Sequence, residues 1–284
     1  MRLCRFEEKG TVASAVVVRD RIVSLRAVNR ALRADFPLTL DELVQQERLL
    51  ELRDRSGEIA ADGPSVSEVR ILAPLVHPPK IWCIGLNYVE HASDLSEKSP
   101  EEPASFMRPA FSIVGPGETI RLPPASERVT GEAELAIVIG RRCHDVSEPA
   151  AETVIAAFVP AIDMTAEDIL RRNPRFLTRA KSFDTFLSMG PFLVTPDEIG
   201  GREEVRKIRT STRLNGVVER ENVVAHMKHD PYALISFHSR GMTWLAGDVL
   251  LTGTPGAVVL SDGDVVGSEV AGVGLLENPV ARSS

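Results

Sequence analysis

The stretch Gly131-Glu132-Ala133-Glu134-Leu135-Ala136-Ile137-Val138-Ile139-Gly140 constrains the fold more than any other part of the chain. Residues 135–139 are apolar and partly β-branched, and a glycine stands at each end of the stretch. That pattern predicts a buried β-strand. Side chains alternate faces along a strand, so Glu132 and Glu134 point the same way. Two adjacent carboxylates repel each other, and burying them unpaired is costly. Either this strand mouth faces bulk water, or a cation lies between the acids. Ligands that are all oxygen suit a hard cation such as Mg²⁺, Mn²⁺ or Ca²⁺. The stretch by itself leaves both readings open.

At 284 residues the chain can hold one large domain, or a domain with a smaller companion. The formal net charge is -7 and no basic block stands out, which argues against a nucleic-acid partner. Cys4, Cys83 and Cys143 lie far apart, and no CxxC pair exists. A disulfide framework or structural zinc is therefore not expected, and a reducing, cytoplasmic setting is. Residues 1–9 lack the apolar run of a signal peptide. No segment approaches the roughly 20 apolar residues of a membrane span, so no membrane partner is expected.

Residues 1–30 read as short strands, among them 11–19 and 22–25. One helix is expected from Leu40. Thr39 and Glu42 form a capping box, Leu40, Leu43, Val44, Leu49 and Leu50 supply an apolar stripe, and Gly57 lies past the end. Glycine and proline punctuation after it predicts a boundary near residue 70. That divides a small N-terminal α+β domain, 1–70, from a larger one, 71–284.

In the larger part, residues 80–85 read as a buried strand and residues 95–103 as an exposed polar loop or loose helix. Ser147, with Pro149 in the first turn, predicts a helix to about residue 156. Residues 158–164 are apolar except for Asp163, which must be paired if the segment is a strand. Residues 190–195 read as another strand. Asn215-Gly216 is a type I′ hairpin turn, and Asp230-Pro231 starts a helix that Gly241 ends. A strand then runs into the glycine-bounded loop Gly253-Thr254-Pro255-Gly256, and two short strands close the chain. Many short strands with few long helices predict a mainly β member of the α+β class.

Several short motifs stand in order along the chain. They are Gly85-Leu86-Asn87-Tyr88 with His91, Phe106-Met107-Arg108-Pro109, the 131–136 diacid segment, Asp163-Met164-Thr165-Ala166-Glu167-Asp168, Lys181-Ser182-Phe183-Asp184-Thr185, Gly253-Thr254-Pro255 and Glu277-Asn278-Pro279-Val280. Together, over roughly residues 80–280, they resemble the fumarylacetoacetate hydrolase superfamily. The first six residues look like the small N-terminal domain of many bacterial members. The resemblance implies a mixed β-roll, a homodimer, and divalent-metal chemistry on a small keto or diketo acid.

Carried over by position, Glu132, Glu134 and Asp163 match the metal carboxylates. His91 matches the catalytic histidine and Lys181 the active-site lysine. Thr254, beside Gly253, matches the threonine that holds the substrate carboxylate. Residues after His91 match a lid. Asp94 stands where many members pair a glutamate with the histidine, and Arg108, suited to a substrate carboxylate, where a lysine is common. Glu167 and Leu170 replace a frequent arginine and a frequent glutamine.

The implied function is metal-dependent hydrolysis of a carbon–carbon bond in acylpyruvates or related 2,4-diketo acids. In that scheme His91 activates water and Lys181 stabilises the oxyanion. The alternatives are oxaloacetate decarboxylation or 2-hydroxydienoate isomerisation at the same centre, or carboxylate binding without catalysis.

Overall fold

The computed structural model describes residues 1–90 and 100–283. His91, Asp94 and residues 95–99 of the expected lid lie outside the described residues. The fold is α+β. Among the described residues, a mixed sheet of 13 strands and a second sheet of five carry it.

The large sheet begins with an antiparallel meander, Arg2–Glu8, Thr11–Val18 and Arg21–Ser24. Arg2 and Leu3 then pair with Val194 and Leu193, and Arg70–Leu72 returns to pair with Arg2–Glu8. Leu3, Val23 and Leu43 pack into one core with Leu75, Ala136, Val138 and Leu251. Residues 1–70 therefore share a sheet and a core with the rest of the chain.

At the centre of the large sheet, Val129–Ile139 runs antiparallel to Ile155–Ala166. Both strands are buried along almost their whole length, as their apolar runs require. The five-stranded sheet includes the hairpin Arg209–Leu214 and Val217–Val223. Asn215 and Gly216 turn it, with φ of 51° and 82°, both positive as a type I′ turn needs. Ile162 and Met164 from the large sheet meet Val266, Leu276 and Val280 from the small one in a shared core.

Local expectations hold where a cap or turn specifies them. Asp230 accepts hydrogen bonds from the Tyr232 and Ala233 amides at the start of helix Pro231–Gly241. Thr39 accepts from the Glu42 amide at 3.2 Å, and the Glu42 carboxylate accepts from the Thr39 hydroxyl at 2.8 Å.

The single helix expected from Leu40 is two, Leu40–Gln45 and Leu49–Asp54, and Glu47 between them takes φ of 59°. The stripe explains the break. An unbroken helix would carry Glu47 and Arg48 to the core, whereas the left-handed residue resets the phase and buries Leu49 and Leu52.

Residues 25–30 are also not strand. Helix Leu25–Leu32 follows directly, with Ser24 accepting from the Ala27 amide and Leu25, Val28 and Leu32 buried. The helix expected after Ser147 is 3-10, Glu148–Val154, without a side-chain cap. The strand expected over 190–195 pairs only at Leu193–Val194. No helix among the described residues is long and apolar enough to cross a membrane.

Candidate metal centre and active site

Register assembles the acids. Asp163 lies directly opposite Glu132 on the central antiparallel pair, and Glu134 lies opposite Ala161. Directly opposed residues share a face, as do residues two apart on one strand. All three carboxylates therefore project from one face. Each offers an oxygen within 4.8 Å of the others. Asp163 is wholly buried, Glu134 is 2% exposed and Glu132 is half-buried. Thr130 and Thr165 continue the same face, opposite each other, and both line the cavity above. In the sequence Thr165 is only one member of the 163–168 motif and Thr130 belongs to none, although counting two residues from Glu132 and from Asp163 finds both.

Two cations from distant segments meet this cluster. Lys181 ends the short helix Leu177–Lys181 and is buried. Its Nζ lies 2.9 Å from Glu132 Oε2, 2.9 Å from Asp163 Oδ1, and 5.2 Å from the centre of the Phe106 ring. Burial pushes the Lys181 ammonium down from its ordinary value, against the pull of Glu132.

Arg108, expected to meet a substrate carboxylate, takes a different place. It lies wholly buried beneath the acids, bonding Asp163 and the Lys181 carbonyl, and donating to the carbonyls of Phe186 at 2.8 Å and Met164 at 2.6 Å. Burial lowers its pKa; Nη1 and Nη2 donate to Asp163 and to backbone carbonyls around it, while the buried Nε has no hydrogen-bond partner.

Glu134 Oε2 accepts from the Gly253 amide at 2.7 Å. Burial nevertheless pushes its carboxyl up to about 8, because Lys181 and that amide offset desolvation only in part. Asp163 Oδ2 is buried with no hydrogen-bond partner in the protein. An orphaned carboxylate oxygen facing two further acids marks a missing positive charge. The donor set, all carboxylate oxygen, fits a hard divalent cation.

Gly253 has φ of 99°, and a Cβ there would stand 2.9 Å from Asn87 Cβ, so glycine lets the loop approach. Asn87 clamps that loop. Its Nδ2 donates to the carbonyls of Thr252 at 2.8 Å and His229 at 2.9 Å, and its Oδ1 accepts from the His229 amide at 3.0 Å. In the sequence Asn87 is visible only as one member of a motif, with no sign of this clamp. Thr254 Oγ1 bonds both the carbonyl and the amide of Gly256, at 3.2 Å each.

A cavity of about 840 Å³ opens above the acids. Its floor holds Glu132, Glu134, Asp163, Lys181 and Thr254, and its walls include Phe106, Leu170 and Leu177. The arrangement is a largely buried acidic floor with a buried ammonium, able to hold a cation and to move a proton beside it.

The sequence of residues 80–281 matches the C-terminal domain of fumarylacetoacetate (FAA) hydrolase. Over 271 residues the chain is 35% identical to a human mitochondrial oxaloacetate tautomerase, covering 91% of this chain and 83% of the relative. In structure it is similar to the 5-carboxymethyl-2-hydroxymuconate delta-isomerase of Mycobacterium smegmatis, with TM-score 0.77, 31% identity and full coverage of both chains. It is likewise similar to the maleylpyruvate hydrolase of Sphingobium sp. SYK-6, solved with manganese(II) and pyruvate, with TM-score 0.79, 25% identity and full coverage of both chains. With the acidic triad in register and the match running over residues 80–281, the chain belongs to the fumarylacetoacetate hydrolase family.

Proposed function

We propose that this protein is a divalent-metal-dependent enzyme that moves a proton on an enolisable 2-keto acid, converting the enol and keto forms of oxaloacetate or a close relative. The observation that carries this reading is the Lys181 ammonium, 2.9 Å from both Glu132 and Asp163 on the floor of the cavity. Glu132, Glu134 and Asp163 would hold Mg²⁺ or Mn²⁺, which would supply Lewis acidity to stabilise the enolate charge of the keto acid. Lys181 Nζ holds the proton exchanged with C3, and its lowered pKa eases that exchange. Thr254 Oγ1, turned from the Gly256 carbonyl to which it donates, would donate instead to the substrate carboxylate from the loop that Asn87 clamps. Phe106, Leu170 and Leu177 keep bulk water from the reacting carbon. Likeness to an oxaloacetate tautomerase over 91% of the chain supports the choice of substrate.

The second reading is hydrolysis of a carbon–carbon bond in acylpyruvates. Likeness to a maleylpyruvate hydrolase bound to manganese and pyruvate favours it. It assigns His91, oriented by Asp94, as the base that activates water, on the family resemblance. Lys181 then stabilises the oxyanion.

One experiment separates the two readings. Enol-oxaloacetate ketonisation and acetylpyruvate cleavage are followed by ultraviolet absorbance with Mg²⁺ or Mn²⁺. The first reading expects accelerated ketonisation and slow cleavage. Cleavage without accelerated ketonisation would establish the second.

A further inference from the structure

Among the described residues, two cations line the cavity, and they differ in kind. Lys181 is buried on the floor between two carboxylates. Arg171 stands at the mouth and is 62% exposed. It belongs to helix Glu167–Arg172, which directly continues the strand that carries Asp163. Floor and mouth are thus joined by one short run of chain.

Glu167 holds Arg171 in place. It sits one helical turn before Arg171 and is 13% exposed. Its Oε1 accepts from Arg171 Nη2 at 2.7 Å, and its Oε2 accepts from Arg128 Nε. Both oxygens of Glu167 are therefore engaged by guanidinium groups, which offset its charge beside the cavity. A guanidinium has five N–H donors, and the Glu167 bond uses one. The others can meet a carboxylate in the forked geometry that guanidinium favours. Between floor and mouth the wall is apolar, with Leu170, Pro174 and Leu177. A ligand that suits this cavity is acidic at both ends and carbon-chained between.

We propose that Arg171 recognises the distal carboxylate of a dicarboxylic 2-keto acid, and that Glu167 is the positioning residue that aims it. This rests on the reading of the floor as a 2-keto-acid site. It adds which residues of the mouth select a dicarboxylic over a monocarboxylic substrate.

Binding with saturating Mg²⁺, measured by calorimetry, tests the proposal through affinity rather than rate. Oxalate probes the floor alone. Three pairs of equal chain length probe the mouth: oxaloacetate with 2-oxobutyrate, 2-oxoglutarate with 2-oxovalerate, and 2-oxoadipate with 2-oxohexanoate. A charge-assisted hydrogen bond corresponds to about ten- to a hundredfold in affinity. At one length at least, the wild-type protein should therefore favour the dicarboxylate by about tenfold or more.

Arg171→Leu should shrink that preference below about threefold while oxalate affinity stays, and Arg171→Gln is read the same way should the leucine variant fold poorly. Arg171→Lys should retain part of it. Glu167→Gln should narrow the preference and leave oxalate binding in place, a selectivity that general loss of structure would not produce. A wild-type protein with no such preference at any length, or a preference that survives removal of the guanidinium, would overturn the proposal. Failure of oxalate to bind the wild-type protein would overturn the 2-keto-acid reading of the floor, and the proposal with it.

Discussion

Glu134→Gln tests the electrostatics of the centre through stability rather than rate. Burial holds the Glu134 carboxyl at about 8 against an ordinary 4.5. The folded chain therefore binds a proton that the unfolded chain releases across that range. Stability from this group is fully present below the unfolded value, falls as pH rises between the two, and is gone above about 8. One proton corresponds to a slope of about 1.4 kcal/mol per pH unit, so about 3 kcal/mol is lost between pH 5.5 and 7.5. Glutamine keeps the shape and the hydrogen bond from Gly253 but cannot titrate. The measurement is urea unfolding of the metal-free protein, in chelator, at several pH values. Subtracting the variant's stability from the wild type's removes what other groups contribute, including His238, whose pKa burial lowers to about 4. The difference should fall steadily over this range. Metal binding reports the same proton from the other side. A cation must displace it, so wild-type Mn²⁺ affinity should rise about tenfold per pH unit and level off above about 8. A flat stability difference together with pH-independent Mn²⁺ affinity would refute the reasoning.

Chelation by EDTA should abolish turnover, and Mg²⁺ or Mn²⁺ should restore it; full activity in protein shown by elemental analysis to be metal-free would contradict the triad's role. Lys181→Met should lower kcat by roughly 10²–10⁴-fold while leaving substrate affinity near wild type, as loss of a proton-transfer group does. An unchanged kcat would remove Lys181 from the chemistry. Gly253→Ala should destabilise the protein by about 1–3 kcal/mol, since the added carbon meets Asn87 and the positive φ is strained, with urea unfolding as the measure. His91→Ala should cost acylpyruvate cleavage roughly 10²–10⁴-fold if that histidine activates water, and oxaloacetate conversion much less. Equal losses in both reactions would assign His91 to substrate positioning instead.

Features that depend on near neighbours are legible in the sequence alone. The 129–139 strand, the two acids on one of its faces, the Asp230-Pro231 helix start and the Asn215-Gly216 turn each depend on residues a few positions away. Periodicity, capping and turn preference act over that range. The ligand set carried over by resemblance also proves to be one cluster. Its geometry is not legible in the same way. Register sets Asp163 against Glu132, and a slip of one residue would have turned Asp163 to the other face. Arg108 lies buried against Asp163 and the carbonyls of Lys181, Phe186 and Met164, a place no local pattern announces. The break at Glu47 and the meeting of Glu167 and Arg171 with the cavity are likewise tertiary results. Each was decided by which distant segments pack together. Alternation and capping say which way a side chain points from its own strand or helix; only the packed sheets decide what it finds there.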